Sequence, residues 1–305
     1  MKVLVTGGAG FIGSHLAAAL VQRGDQVRVL DNLSSGKREN LEGLPVELLV
    51  GDVRDWDTVQ QAVAGCDLIF HQAALVSVPR SIADPQLNHD VNVSGAFHMF
   101  EAARQAGIQR VVYASSAAVY GDTPALPAKE CDRPNPISPY AAAKLTNEQT
   151  AAVYNQCYGT AFVGLRYFNV FGPRQDPASP YSGVLSLFCR AAIAGTGVTI
   201  YGDGRQTRDF VYVSDVVAAN LAAAARAAGE QMVFNVGRGE QTDLLQIVDT
   251  LRQQSGAALP VQHAAERDGD IRHSCADITA AQTHLGYAPQ VSLAVGLQKT
   301  LDWFA

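Results

Sequence analysis

No two of the five cysteines (Cys66, Cys131, Cys157, Cys189, Cys275) stand at C-x-x-C spacing, and their number is odd. That argues against a disulfide framework and against a zinc site, so no metal is expected and a reducing, cytoplasmic setting is the default. No apolar run reaches the length that spans a bilayer, so no membrane partner is expected. Basic residues are outnumbered, 23 Lys and Arg against 29 Asp and Glu, for a net charge of −6. Nucleic acid is not an expected partner of such a chain, although local cations can still hold a small anionic substrate. Repeats are absent, and the one compositionally biased stretch is the alanine-rich run around Ala222–Ala228. The opening, MKVLVTGGAGFIGSHLAAALV, has one Lys before apolar residues. Glycines at fixed offsets interrupt it, so it reads as folded structure rather than as a signal peptide.

What is present is a large core: 305 residues, 48% of them hydrophobic, enough for one composite fold or two domains. Apolar runs predict strands at Lys2–Thr6, Gln26–Asp31, Val46–Val50, Leu68–His71, Arg110–Ala114 and Ala161–Arg166. Between them helical patterns run over Ser14–Arg23, Trp56–Ala64, Asp90–Ala106 and Pro139–Tyr158. Such β-α-β alternation implies a parallel sheet with helices on both faces. After Arg166 the pattern changes, with a Pro- and Gly-rich loop over Phe171–Gly183. Helices are then expected at Val184–Gly195, Ser214–Ala228, Asp243–Ser255 and Leu293–Trp303, with strands at Val198–Tyr201, Asp209–Val213 and Met232–Val236. The predicted fold class is α/β, a Rossmann-type doubly wound parallel sheet with a smaller α/β substrate-binding C-terminal lobe. Residues 1–166, with a return segment near 209–228, form the dinucleotide-binding part, and residues 167–305 form the lobe over the sheet's C-terminal edge.

TGGAGFIG places Gly7, Gly10 and Gly13 directly after the first strand and at the start of a helix. That context suits a turn whose backbone approaches a pyrophosphate. Asp31 closes the second strand about 20 residues later, where a carboxylate can take both ribose hydroxyls. A carboxylate there repels a 2′-phosphate, so NAD is expected over NADP, with Lys37 and Arg38 nearby as the counterweight. Asp52, in GDVRD, reads either as an adenine contact or as a turn residue.

SPYAAAK sets Tyr140 and Lys144 four residues apart, on one face if the stretch is helical. A phenol is a poor base at its ordinary pKa of about 10, and a neighbouring ammonium and a cationic nicotinamide would lower that value. Ser116 follows the intervening strand, in ASSAAVYGD, where Ala117 and Ala118 stand next to it.

With TGGAGFIG, DNLSSG, GDVRD, HQAA, ASSAAVYG, SPYAAAK, RYFNVFGPRQDP, YGDGRQTRDFVYVSD and RDGDIRHSCAD, the chain resembles the extended short-chain dehydrogenase/reductases over essentially its whole length. Within them it resembles the UDP-glucose/UDP-N-acetylglucosamine 4-epimerases. The resemblance implies that Ser116 and Tyr140 hold the sugar 4′-hydroxyl, that Tyr140 moves its proton, and that Lys144 fixes the nicotinamide ribose. It extends the cofactor set from the glycines and Asp31 to Phe11, Ile12, Asn32, Ser35, Gly36, Asp52, Val53, Gln72, Ala73, Ala74 and Asn92. A helix cap is the alternative reading for Asn92. On the substrate side it implies diphosphate contacts from Asn169, Arg208 and Arg267, with Asp270 in the same motif, and uracil stacking on Tyr201. Each arginine reads alternatively as a surface ion-pair residue, and Ser77 as either a hexose contact or a plain loop serine.

Relatives that eliminate water carry Asp-Glu after the hydroxyl residue, and those that decarboxylate usually carry Glu at the second position. Methyl groups at Ala117 and Ala118 can neither take nor give a proton, which leaves oxidation and re-reduction at C4. Ser274 is small where members restricted to glucose and galactose carry an aromatic, so an acetamido group has room. The resemblance thus implies an NAD-dependent UDP-hexose 4-epimerase acting on UDP-GlcNAc/UDP-GalNAc and UDP-Glc/UDP-Gal. A UDP-glucuronate 4-epimerase, a nucleotide-sugar C4 reductase and a non-enzymatic NAD sensor are the alternatives. A homodimer is expected, pairing the helices Asp90–Ala106 and Pro139–Tyr158.

Overall fold

The computed structural model describes residues 1–123, 125–176, 183–226, 229, 232–266 and 271–305. Its strands are β1 (Lys2–Thr6), β2 (Gln26–Asp31), β3 (Val46–Val50), β4 (Leu68–His71), β5 (Arg110–Ser116), β6 (Ala161–Tyr167), β7 (Asn169–Phe171), β8 (Val198–Tyr201), β9 (Thr207–Arg208), β10 (Phe210–Tyr212), β11 (Val233–Val236), β12 (Thr242–Asp243) and β13 (Val261–Ala264). Seven of them form one parallel sheet in the order β11-β6-β5-β4-β1-β2-β3. The order reverses between β1 and β4, where Thr6 pairs with His71, the position at which open α/β sheets bind ligands at their strands' C-terminal ends. β11 joins the sheet beyond the return segment expected near 209–228.

The helices are α1 (Phe11–Gln22), α2 (Trp56–Val63), α3 (Val78–Ala83), α4 (Pro85–His89), α5 (Gly95–Gln105), α6 (Pro139–Tyr158), α7 (Val184–Ala194), α8 (Val213–Ala225), α9 (Leu244–Ser255), α10 (Thr279–Leu285) and α11 (Leu293–Phe304). Side chains alternate across β1: Val3 and Val5 pack with Leu16 and Leu20 of α1 and Val216 of α8, whereas Leu4 packs with Val59, Met99 and Phe100 on the other face. Both faces being covered is why β1 reads as an unbroken apolar run. Each fully buried Val or Leu contributes about 1.5–3 kcal/mol. A separate cluster, with Phe171, Phe188, Ile200, Phe210, Ile247 and Leu297, forms the core of the lobe.

Two differences from expectation have local causes. The helix expected from Asp90 begins with a π-helical turn, Asp90–Ser94, before α5. Short α3 and α4 carry too few residues for a periodic signal; they are set by Ser77 and Asp84, each capping its helix with a side-chain oxygen. No described helix is long and apolar enough to cross a membrane.

Candidate active site

The glycine turn sits between β1 and α1 with Gly7 at φ +66°. A Cβ on Gly7 would lie 2.7 Å from Ala73 N, and one on Gly13 would lie 2.1 Å from Gly7 O. A Cβ on Gly10 would meet only Gly7 O, at 3.1 Å, so its outer side is open to close approach. Gly10 caps α1 without any side-chain bond, which leaves the first-turn N–H groups free for an anion. Asp31 is buried at the end of β2; its carboxylate accepts from Ala9 N–H at 2.9 Å and Leu33 N–H at 2.8 Å, and Gly36 packs against it. Two of its acceptor positions stay open for ribose hydroxyls. The cradle fits a dinucleotide.

Around that cradle the expected residues divide. Phe11 and Ile12 pack against the lobe core, and Val53 is buried beside Gly95. Ser35 is exposed and Ala74 half-buried. Asp52 accepts a two-pronged bond from Arg54, at 2.9 and 2.8 Å, and one from Asn32 at 2.8 Å. The Arg54 bonds hold its carboxyl down at about 2. Gln72 spends its amide on Asn220 and Tyr167. Asn92 bonds the main chain of Leu75 through both amide atoms, so it fixes the 73–77 loop.

Ser116 ends β5, and Tyr140 lies in the first turn of α6, which Ser138 caps and Pro139 starts. The Ser116 hydroxyl neighbours the Tyr140 phenol. Burial pushes the phenol above its ordinary value, and the neighbouring Ser116 hydroxyl opposes that. Lys144 follows one turn on; its Nζ donates to Ala114 O at 2.9 Å and lies 5.7 Å from the Tyr140 ring centre. Burial draws the ammonium down to about 8, against the attraction of Glu148. It therefore stays mostly charged at neutral pH, while the chain's own groups leave the phenol protonated. His71 shares a 2.8 Å hydrogen bond with Thr6 Oγ1 and is held neutral, at about 3, by burial and then by Lys144. Ala117 and Ala118 lie in a 3-10 turn directly after Ser116, where Ala118 N–H donates to Ser116 Oγ.

On the other side Asn169 starts β7 with its side chain exposed, and Tyr201 ends β8, also exposed. Arg208 is half-buried and donates to Thr207 O at 2.9 Å. Ser274 is half-buried, held by its N–H to Thr207 O at 3.1 Å. Ser77 is buried, its Oγ accepting from Arg80 N–H at 3.0 Å. Arg267 and Asp270 lie outside the described residues.

Two residues escaped the sequence reading. Asp209 is fully buried and accepts from Arg238, Gly239 and Ala276 N–H groups at 2.7, 2.9 and 3.0 Å, stapling the Ser274 segment to β10. Arg174, at φ +65° beside His15 of α1, has a buried Nη1 with no hydrogen-bond partner. Both stand inside quoted motifs, RDF and GPRQDP, but their local sequence does not reveal burial.

The family model of the NAD dependent epimerase/dehydratase family matches residues 3–237. A UDP-glucose 4-epimerase of Mycolicibacterium smegmatis is 42% identical over all of this chain and 98% of its own length. The crystal structure of a Thermotoga maritima UDP-glucose 4-epimerase with UDP-glucose superposes with a TM-score of 0.96 at 38% identity, covering 100% of this chain and 98% of that one. A Methanobrevibacter ruminantium UDP-N-acetylglucosamine 4-epimerase, in complex with UDP-N-acetylmuramic acid, gives 0.95 at 38% identity over 99% and 97% of the two chains.

Proposed function

The chain belongs to the NAD dependent epimerase/dehydratase family, as an enzyme of its NAD-dependent UDP-sugar 4-epimerases, and on that premise we propose that it interconverts UDP-GlcNAc with UDP-GalNAc, and UDP-Glc with UDP-Gal. The observation that carries this reading is the cluster of half-buried Ser116 with buried Tyr140 and Lys144, with methyl groups, not carboxylates, next to Ser116. Such a site can shuttle one proton at a carbinol but cannot drive elimination.

In this reading the glycine turn and the start of α1 hold the dinucleotide's diphosphate, with Arg174 as an added cation, and Asp31 holds the adenosine ribose. Lys144 holds the nicotinamide ribose. The bound cofactor supplies a hydride acceptor that can return the same hydride. The Tyr140 phenolate, which the Lys144 ammonium and the positive charge of the bound cofactor would stabilise, takes the 4′-hydroxyl proton and becomes a neutral phenol, while Ser116 orients that hydroxyl. The sugar ketone turns over in the pocket, and Tyr140 gives the proton back. Asn169, Arg208 and Arg267 hold the UDP diphosphate, Tyr201 carries the uracil, and Ser77 and Ser274 border the hexose. We assign residues 1–166, with the return near 209–228, to the cofactor and 167–305 to the sugar nucleotide.

Phe97 on α5, and Val153 and Tyr158 on α6, are apolar or aromatic and about half exposed. They support a homodimer through these two helices. The scattered cysteines support a cytoplasmic setting.

The test is chromatographic product identification from the purified chain without added cofactor, offering the glucose, N-acetylglucosamine and glucuronate nucleotides separately. Interconversion of the two neutral pairs is expected. Turnover of UDP-glucuronate alone would replace the reading with a uronate 4-epimerase, and a product formed only with added NADH would make it a reductase.

A further inference from the structure

Tyr140 depends on a segment that the chemistry does not otherwise use. In the first turn of α6, Ser138 Oγ accepts from Ala141 N–H at 3.2 Å, and Pro139 has no N–H to satisfy. The N–H of Tyr140 is left as the orphan donor. It donates to Ser81 Oγ of α3 at 3.2 Å, and the Ser81 hydroxyl donates onward to Val78 O at 2.7 Å. One residue earlier, Pro139 O accepts from Asn88 Nδ2 of α4 at 3.1 Å. Asn88 Oδ1 accepts from Asn92 Nδ2 at 2.8 Å, and the main-chain oxygen of Asn92 accepts from Asn147 Nδ2, further along α6, at 2.9 Å. Ser81, Asn88, Asn92 and Asn147 are all at most 4% exposed. None of the four is positioned to reach solvent.

We propose that Ser81 and Asn88 are positioning residues for Tyr140. They set the rotation and depth of the first turn of α6 and, through Asn92 and Leu75, couple it to the loop that carries Ser77. The argument is geometric. A short helix start is free to twist unless its end groups are held, and here both are held by side chains from one neighbouring segment. In a dry interior those bonds are directional, and removing one leaves a buried group unsatisfied. A phenol that must meet a hydroxyl within hydrogen-bond reach loses rate when its helix shifts by about 1 Å. Ser81, being fully buried, has no route to the substrate, so its influence passes through Tyr140.

The inference rests on the 4-epimerase reading. It is tested on the NAD-loaded full chain with Ser81→Ala, Asn88→Ala and Ser81→Thr. Positioning predicts that kcat falls by about tenfold or more in Ser81→Ala, with KM and bound NAD little changed and the thermal midpoint lowered by only a few degrees, and that Ser81→Thr recovers most of the kcat. A second readout needs no sugar: the Tyr140 phenolate absorbance, taken as the difference from the same background carrying Tyr140→Phe. Its titration should move by about half a pH unit in Ser81→Ala. Lys144 beside that phenol, and Glu148 and His71, which act on Lys144, are untouched by these substitutions. The proposal is overturned if both alanine variants keep the wild-type kcat and titration, if kcat drops only as the folded fraction drops, or if Ser81→Thr recovers nothing. Should the wild type convert no UDP-hexose, the epimerase reading fails separately, and the titration alone decides the positioning.

Discussion

At the dinucleotide end, the glycine turn, the start of α1 and Asp31 lie within one short run of chain, and two of the three motif glycines sit where a Cβ would strike backbone. At the end proposed to hold the sugar nucleotide, Asn169, Tyr201, Arg208 and Ser274 come from four separate segments. What draws the last two together is a pair of main-chain bonds between Thr207 and the segment 272–274, and the buried carboxylate of Asp209. The first half is a shape made of backbone, which tolerates almost no added atom. The second is a set of side chains on borrowed supports, which tolerates exchange and can change what it accepts. The proposed function, one cofactor and more than one sugar nucleotide, calls for that division of tolerance.

The comparison breaks most sharply at Gly13. Its Cβ would lie 2.1 Å from Gly7 O, and neither atom belongs to a flexible side chain. Gly13→Ala should lose bound NAD at least about tenfold and cost about 1–3 kcal/mol in urea unfolding. Wild-type NAD content in the purified variant would show that the turn is not rigid.

A smaller effect is expected at the other end. Ser274→Tyr should lower kcat/KM for UDP-GlcNAc by about tenfold to a hundredfold while leaving UDP-Glc within about threefold, because a ring excludes an acetamido group and leaves a hydroxyl room. Equal losses for both sugars would mean that Ser274 does not border C2.

The smallest effect lies at the margin of the dinucleotide half. Asp52 is held at about 2 by the Arg54 bonds, below its ordinary value of 3.8. A depressed carboxyl stabilises the fold above its unfolded pKa and loses that contribution as pH falls toward about 2. The group is partly exposed, so Asp52→Asn should cost less than about 1 kcal/mol at pH 7. The thermal midpoints of variant and wild type should converge on acidification from about 4 downward. A gap that persists at low pH would assign the loss to something other than the charge.

The same contrast explains what could be read from the chain. β1, β2, β4, β5 and β6 were legible because burial on both faces makes each a largely apolar run bounded by turns, and the half-buried edge strand β3 because its residues are mostly apolar. TGGAGFIG was legible because its requirements are local. α3 and α4 were missed, being one or two turns long, and with them Ser81 and Asn88, whose partners Tyr140 and Pro139 are more than fifty residues away. The Tyr140 pKa likewise depends on packing: burial raises it, and Lys144 Nζ turns to Ala114 O.

By itself the sequence determined the alternation of strand and helix, the turn that only glycine can make, and the presence of Ser, Tyr and Lys without a carboxylate beside them. Those are properties of residue type and short spacing. Only the tertiary structure decided which polar groups are spent on holding the site and which remain open, as with Asn92 tied to Leu75 and Asp209 closed by three N–H groups. The reason is physical: whether a polar atom can meet a ligand depends on what the rest of the chain has already brought within 3 Å or so of it, and sequence spacing carries no such distance.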